Sequence, residues 1–384
     1  MRFRPLSLLV LLAGLAASRA AAQGTARSMD IDISMRSSGM GGASAAVFWG
    51  QDLNHWSNPA LLGGLQGLRY EQGSTQLVPD LADVKFESKV LKAGGRGLGI
   101  VWSGTAPGPG GVHLDYGANE GTDPSGNPTG TFNALEQVNS WGFGVNALEA
   151  FDGFRRAGAP RGWSRYGDVA FGMNFKDVKV DLGPGIAGST TAHDWGVLVR
   201  VTPIAAFNPD RTIPIRVDLS WAYSVLNGND DAVIDFGTES ARVSRHRRDG
   251  FAGRIAFTPP SIEHAATKKV WLRGLFPLVS VGGAYEKATI DAGEGSSGYR
   301  TTGSGGELEV ANVFALRIGS YTDKTGGIDG GTSGWSLGLP IGPWAGFRYS
   351  HATFPESSGL SDLDRNGWQV WVNPFEIRRS MDDD

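Results

Sequence analysis

Hydrophobic and polar positions alternate with a period of two along most of this chain. Through residues 216–225 one set is Val217, Leu219, Trp221, Tyr223 and Val225; the interleaved set is Asp218, Ser220, Ala222 and Ser224. A helix of ~3.6 residues per turn cannot hold those sets on separate faces, whereas a strand does so by geometry. The split recurs at Trp195/Val197/Val199/Val201 against Gly196/Arg200/Thr202, at Phe251/Ile255/Phe257 against Ala252/Arg254/Thr258, and at Phe314/Leu316/Ile318 against Arg317. Trp141/Phe143/Val145, Trp335/Leu337/Leu339 and Trp368/Val370/Val372 repeat it. Turn-forming residues punctuate these runs at 106–111, 119–130, 227–231, 293–298 and 325–334. No stretch of helical period is long enough for a second domain. At ~25 residues per strand and connection, the chain predicts about 14 antiparallel strands, roughly 12 to 16.

The second face separates two all-β architectures. In a soluble sandwich that face is solvated and carries Lys, Glu and Thr; here it is mostly Gly, Ala and Ser with scattered Arg and Asp. Such a face suits the inside of a narrow transmembrane barrel filled by a plug. Composition agrees. The chain has 57 glycines, 12 tryptophans and 19% charged residues, against ~25% charged in soluble domains. A glycine- and tryptophan-rich sandwich or propeller is the alternative. In a membrane barrel Trp102, Trp163, Trp195, Trp271, Trp344 and Trp368 are expected in the interfacial girdles. Charge should then be costly at lipid-facing Leu219 or Trp221 and mild at Ser220.

The N-terminus reads as a signal peptide over residues 1–22. Arg2 and Arg4 precede the apolar run 8–15, and Ala20, Ala21 and Ala22 lead to cleavage near Gln23. The run is too short to span a bilayer as a helix. The organisation expected is a lumen segment at 23–64, a barrel at 65–377 and an acidic tail at 378–384, with Phe375 closing the last strand. No cysteine occurs, which excludes a lipid-anchored thiol, disulfides and thiolate metal sites. Without Arg2, Arg4 and Arg19, 32 basic residues of the 35 face 39 acidic ones, a net charge of −7. That balance argues against nucleic acid as a partner.

One segment lacks the strand period. It carries Gly39, Met40, Gly41, Gly42 and Ala43, then Trp56, Ser57, Asn58, Pro59 and Ala60. Small residues there allow backbone to pack on backbone, and the Asn-Pro step predicts a chain reversal. In this order the two motifs resemble the N-terminal hatch of the outer-membrane long-chain fatty-acid transporter (FadL-like) family, with one extra residue between Trp56 and Asn58. The runs 306–309, 316–321 and 334–339 resemble the closing strands of its PorV/PorQ branch. The resemblance implies a hatch inside the barrel, a bacterial outer-membrane location and a hydrophobic ligand. For the PorV/PorQ branch it implies a role in type IX secretion. Lipid, lipopolysaccharide and the barrel-insertion machinery are the further partners expected.

A carboxylate ligand needs a basic residue beside an apolar pocket. Arg200, Arg254 and Arg317 fall on the predicted inward face, where Asp218 or Glu307 would serve equally as structural ion-pair partners. The histidines (His55, His113, His193, His246, His264, His351) show no metal-ligand spacing, and no Gly-x-Ser-x-Gly elbow occurs. No cofactor, metal or catalytic residue is expected. The glycine-rich run 326–331 holds a single carboxylate, so it reads as a turn rather than a calcium loop. Arg245, His246, Arg247 and Arg248 read as a solvated basic loop, or as a contact for lipopolysaccharide phosphate. Three functions stand open: passage of a hydrophobic molecule, reception of exported proteins, and an outer-membrane enzyme.

Overall fold

Among the described residues of the computed structural model, seventeen strands account for nearly all the regular structure: β1 (Gly67–Gln76), β2 (Lys85–Gly95), β3 (Leu98–Ser103), β4 (Gly111–Thr122), β5 (Pro128–Asn146), β6 (Gly167–Asp181), β7 (Ala187–Val201), β8 (Ile215–Leu226), β9 (Val233–Asp235), β10 (Ser240–Arg242), β11 (Arg245–Phe257), β12 (Val279–Asp291), β13 (Tyr299–Val310), β14 (Phe314–Asp323), β15 (Ile328–Ile341), β16 (Ala345–Phe354) and β17 (Leu363–Val372). The structure describes residues 26–376 apart from 79–82, 105–107, 123–124, 126, 154–161, 205–213, 230, 238, 292–297, 358–359 and 375. The expected signal peptide, the acidic tail and Phe375 lie outside the described residues.

The sheet closes on itself. β1 pairs antiparallel with β17, from Leu68 opposite Val372 to Thr75 opposite Arg365. β3 and β4 share one place between β2 and β5, since Ser103 faces Ser140 and Val112 faces Val138. Gly110 N donates to Gly104 O at 2.6 Å where the two strands meet. β9 and β10 form a separate hairpin. The barrel therefore has 14 strand places, the even number predicted from the chain.

Alternation sorts the side chains. On β14, Leu316 and Ile318 are exposed (46% and 72%) while Ala315 and Arg317 between them are buried. Leu339, Ile100 and Val281 are likewise exposed, at 65%, 60% and 56%. A water-soluble protein would not leave such a belt bare; lipid is the solvent that makes it favourable. Aromatic pairs line the belt's upper edge: Tyr70 with Trp368, Trp335 with Tyr349, Trp141 with Phe175 and Trp195 with Tyr223. Above them the outward positions turn polar, as at Asp177 and Lys179 after Phe175 on β6. Tight turns at 96–97, 311–313 and 342–344 mark the end where β1 begins and β17 stops, the periplasmic end. A closed barrel with this belt is a bacterial outer-membrane protein.

Several expected turns are shorter than their glycine content suggested. The run 325–334 is mostly β15, and 119–130 is mostly the β4–β5 hairpin. The basic run at 245–248 is not a loop but the start of β11, so its side chains alternate between the two faces. Trp102, Trp195 and Trp368 face outward from strands. Trp163, Trp271 and Trp344 sit in periplasmic connections.

Candidate functional site

Residues 26–66 lie inside the barrel, and the wall is shaped to receive them. Asn58 begins the turn Pro59–Gly64, its Oδ1 accepting from Ala60 N at 3.0 Å while its Nδ2 donates to Ala45 O and to Val197 O of β7. Behind this turn five inward glycines stand in direct register across five strands: Gly94, Gly99, Gly144, Gly172 and Gly196. A Cβ on Gly172 would sit 2.3 Å from the Pro59 carbonyl, and one on Gly196 would sit 2.0 Å from Asn58 Oδ1. On the other wall Gly303, Gly305 and Gly319 meet Met40 and Gly41 just as closely. Gly41 and Gly42 have φ of +68° and +78°, so glycine is required there for conformation as well as space. Met35 closes the contact at the seam, packed on Gly73 of β1 and Gly367 of β17.

Buried ion pairs fix the segment. Arg36 bonds Glu307 on β13, and the same carboxylate accepts from Arg317 Nε at 2.7 Å and Trp49 Nε1 at 3.3 Å. Arg254 Nη2 meets Asp218 Oδ2 at 2.9 Å, and Arg200 donates to Ser164 O while lying over the Phe48 ring. Arg200, Arg254 and Arg317 are thus spent on the wall and the lumen segment; none lines an open cavity. Lys176 pairs with Asp194 at 2.9 Å and covers the Trp56 ring. His55 is wholly buried, and among the described residues neither ring nitrogen has a hydrogen-bond partner. Burial, reinforced by Lys92 and Lys176, holds its pKa well below the usual 6.5.

Above the segment the lumen is half filled. The β9–β10 hairpin folds into the mouth rather than away from it, and Asn227, Gly228 and Asn229 lead inward toward it. Asn227 anchors it, with N to Asp194 Oδ1 and Nδ2 to Ser244 O both at 2.8 Å. Ile234 is completely buried against Met29, Trp56 and Val180. The opposite half stays open as a cavity of about 450 Å³ facing the outside. Its floor is Ser38, Gly41 and Gly42; Ile31, Leu114, Ile290 and Leu363 give it apolar sides. Arg248 pairs with Glu286 and the His246 ring contacts Asp30, both at 2.8 Å, along its lining.

Arg365 differs from the other lining cations. Its guanidinium donates to Thr75 Oγ1 at 3.1 Å, to Ser38 Oγ and to the Asp32 carbonyl, all neutral oxygens. Among the described residues no carboxylate bonds it directly, and the Asp32 carboxylate acts on it only through space. The sequence reading passed over it, although Leu363, Arg365 and Gly367 alternate inward like the residues it did select.

No family model and no curated protein matches this sequence. Among solved structures the chain is similar to a Pseudomonas aeruginosa FadL homologue, at 8% identity and a TM-score of 0.41 over 89% of this chain and 98% of that one. It is similar to the Pseudomonas putida toluene transporter TodX at 10% identity and a TM-score of 0.39, covering 88% and 96%. CymD, a monoaromatic hydrocarbon channel, gives 10% identity and a TM-score of 0.41, with 88% and 96% covered.

Proposed function

We propose that the protein takes a hydrophobic small molecule or lipid from outside the cell into the mouth cavity and passes it inward past the lumen segment. The cavity's two-sided lining carries this reading. Its volume of about 450 Å³ falls within the ~300–1,000 Å³ of small-molecule sites. Aliphatic sides suit a hydrocarbon chain, and Arg365 suits an anionic head. An amphiphile with one charged end satisfies both. The motifs at 39–43 and 56–60, which resemble the fatty-acid transporter hatch, support the same reading. No catalytic step belongs to it.

The test is equilibrium binding of dodecanoate and of dodecanol to the detergent-solubilised protein. Arg365→Gln should weaken dodecanoate about tenfold, the scale of one charge-assisted hydrogen bond, and leave dodecanol unchanged. Folding is checked by heat-modifiable gel mobility. Absence of saturable binding, or equal loss for both probes, would overturn the reading.

A second reading, reception of exported proteins as in the PorV branch, rests on the β4–β5 hairpin. β5 has 19 residues against 10 in β1, so at ~3.3 Å per residue it is ~30 Å longer along the strand, most of it at the outer end. Photo-crosslinking from Thr131 on this projection, in cells, tests it: no exported protein in the adduct would remove its basis.

A further inference from the structure

The basic run at 245–248 is divided by the strand into two functions. His246 and Arg248 point inward, where His246 contacts Asp30 and Glu286 offsets Arg248. Arg245 and Arg247 point outward, above the apolar belt. Across the sheet Arg247 stands directly opposite Thr289, and Thr289 directly opposite Arg300. Neighbouring strands are ~4.8 Å apart, so the two arginines are rooted ~10 Å apart with a hydroxyl between them. Lys287 is the next outward residue below Thr289, ~7 Å toward the membrane.

Arg247, Lys287 and Arg300 are exposed, and among the described residues none makes an ion pair. Two carboxylates lie nearby. Asp249 stands directly opposite Lys287 but accepts from Trp221 Nε1 at 3.0 Å, and Asp291 stands opposite Arg245. Elsewhere on the same collar the charges are paired locally: Lys85 and Lys89 both reach Glu87, at 2.5 and 3.6 Å, and Asp115 stands opposite Lys85.

Height above the bilayer identifies the occupant. Phe251 and Tyr285, exposed at 56% and 48%, are the nearest aromatic residues of the belt on these strands. Thr289 is four residues beyond Tyr285, ~13 Å along a strand tilted by ~40°, or ~10 Å along the membrane normal. That is the layer of lipid headgroups. Guanidinium groups match phosphate oxygens with paired hydrogen bonds, and long side chains rooted ~10 Å apart converge on one anion.

We propose that Arg247, Thr289 and Arg300, with Lys287 beneath them, bind a phosphate of the lipid A moiety of lipopolysaccharide in the outer leaflet. The site is on the outer wall and is independent of the lumen cavity. The experiment titrates the full-length protein in detergent with bis-phosphorylated lipid A and with dephosphorylated lipid A. Wild type should prefer the phosphorylated form, and the double variant Arg247→Gln, Arg300→Gln should lose about tenfold in affinity for it. Lys287→Gln, a single exposed change, should lose several-fold, which keeps the test intact if the double variant folds poorly. Lys85→Gln with Lys89→Gln removes as much charge elsewhere on the collar and should leave binding unchanged. Equal binding of the two lipids, equal loss in the Lys85/Lys89 control, or undiminished binding in the Arg247/Arg300 and Lys287 variants would each overturn the site.

Discussion

Arg36 of the lumen segment and Glu307 of β13 are 271 residues apart in sequence and share a buried ion pair, Nε to Oε2 2.9 Å. Arg317 approaches the same oxygen from β14, so one carboxylate offsets two guanidinium groups. The wall and its filling are therefore a single electrostatic unit. Glu307→Gln should strand both cations away from water and destabilise the protein by about 3–5 kcal/mol. Urea unfolding in micelles measures this; a loss under about 1 kcal/mol would mean that the pair is solvated.

The glycine register predicts a selective lesion. Gly172→Val places side-chain atoms where the Pro59 carbonyl now sits, so the lumen segment must leave its seat. Larger single-channel conductance in planar bilayers and faster proteolysis of the segment are expected, with the barrel still heat-modifiable. Gly283→Ala is the matched control, because its nearest atom is 3.6 Å away on the outer wall. Identical behaviour of the two variants would dismiss the seat.

Leu219 and Ser220 were expected to differ sharply in their tolerance of charge. The structure alters half of that expectation. Leu219 is 48% exposed to lipid, and Arg there should cost ~2–4 kcal/mol near mid-membrane. Ser220, however, faces the packed segment and not water, its Oγ donating to Ala46 O at 2.7 Å. Ser220→Arg should also be damaging, but through eviction of the segment: barrel melting moves little while conductance rises. A silent Ser220→Arg would contradict the packing.

His55 predicts a pH response with a definite sign. Its native pKa is depressed, so the unfolded or released segment binds the extra proton. Stability from neutral burial is complete above about 6.5 and falls as pH drops below it. Acidification should raise proteolysis of the segment in wild type, and His55→Leu should flatten that dependence. An equally steep profile in the variant would assign the effect to other groups.

The barrel was legible because its signal is local and repeated. Val217, Leu219, Trp221 and Tyr223 report their face without knowledge of any partner strand. The lumen segment was legible as an exception, since Gly39 to Ala43 lack that period. Arg365 was not distinguishable from Arg317, because both alternate inward; only the fold reveals that Glu307 bonds one directly while the other bonds only neutral oxygens. The glycines of 325–334 misled for a related reason. Glycine marks turns in sequence, yet Gly334 is in mid-strand, with Gly39 close enough to leave a Cβ only 3.2 Å of clearance.

Met35 sits beneath the joint of β1 and β17, against Gly73 and Gly367, which face each other across that joint. The residue precedes both strands in the chain, yet the last pairing to complete the cylinder must be made over it. Closure of the cylinder and seating of the segment are thereby coupled: without Met35 the joint would stand over a hollow, and without the joint Met35 would have no seat.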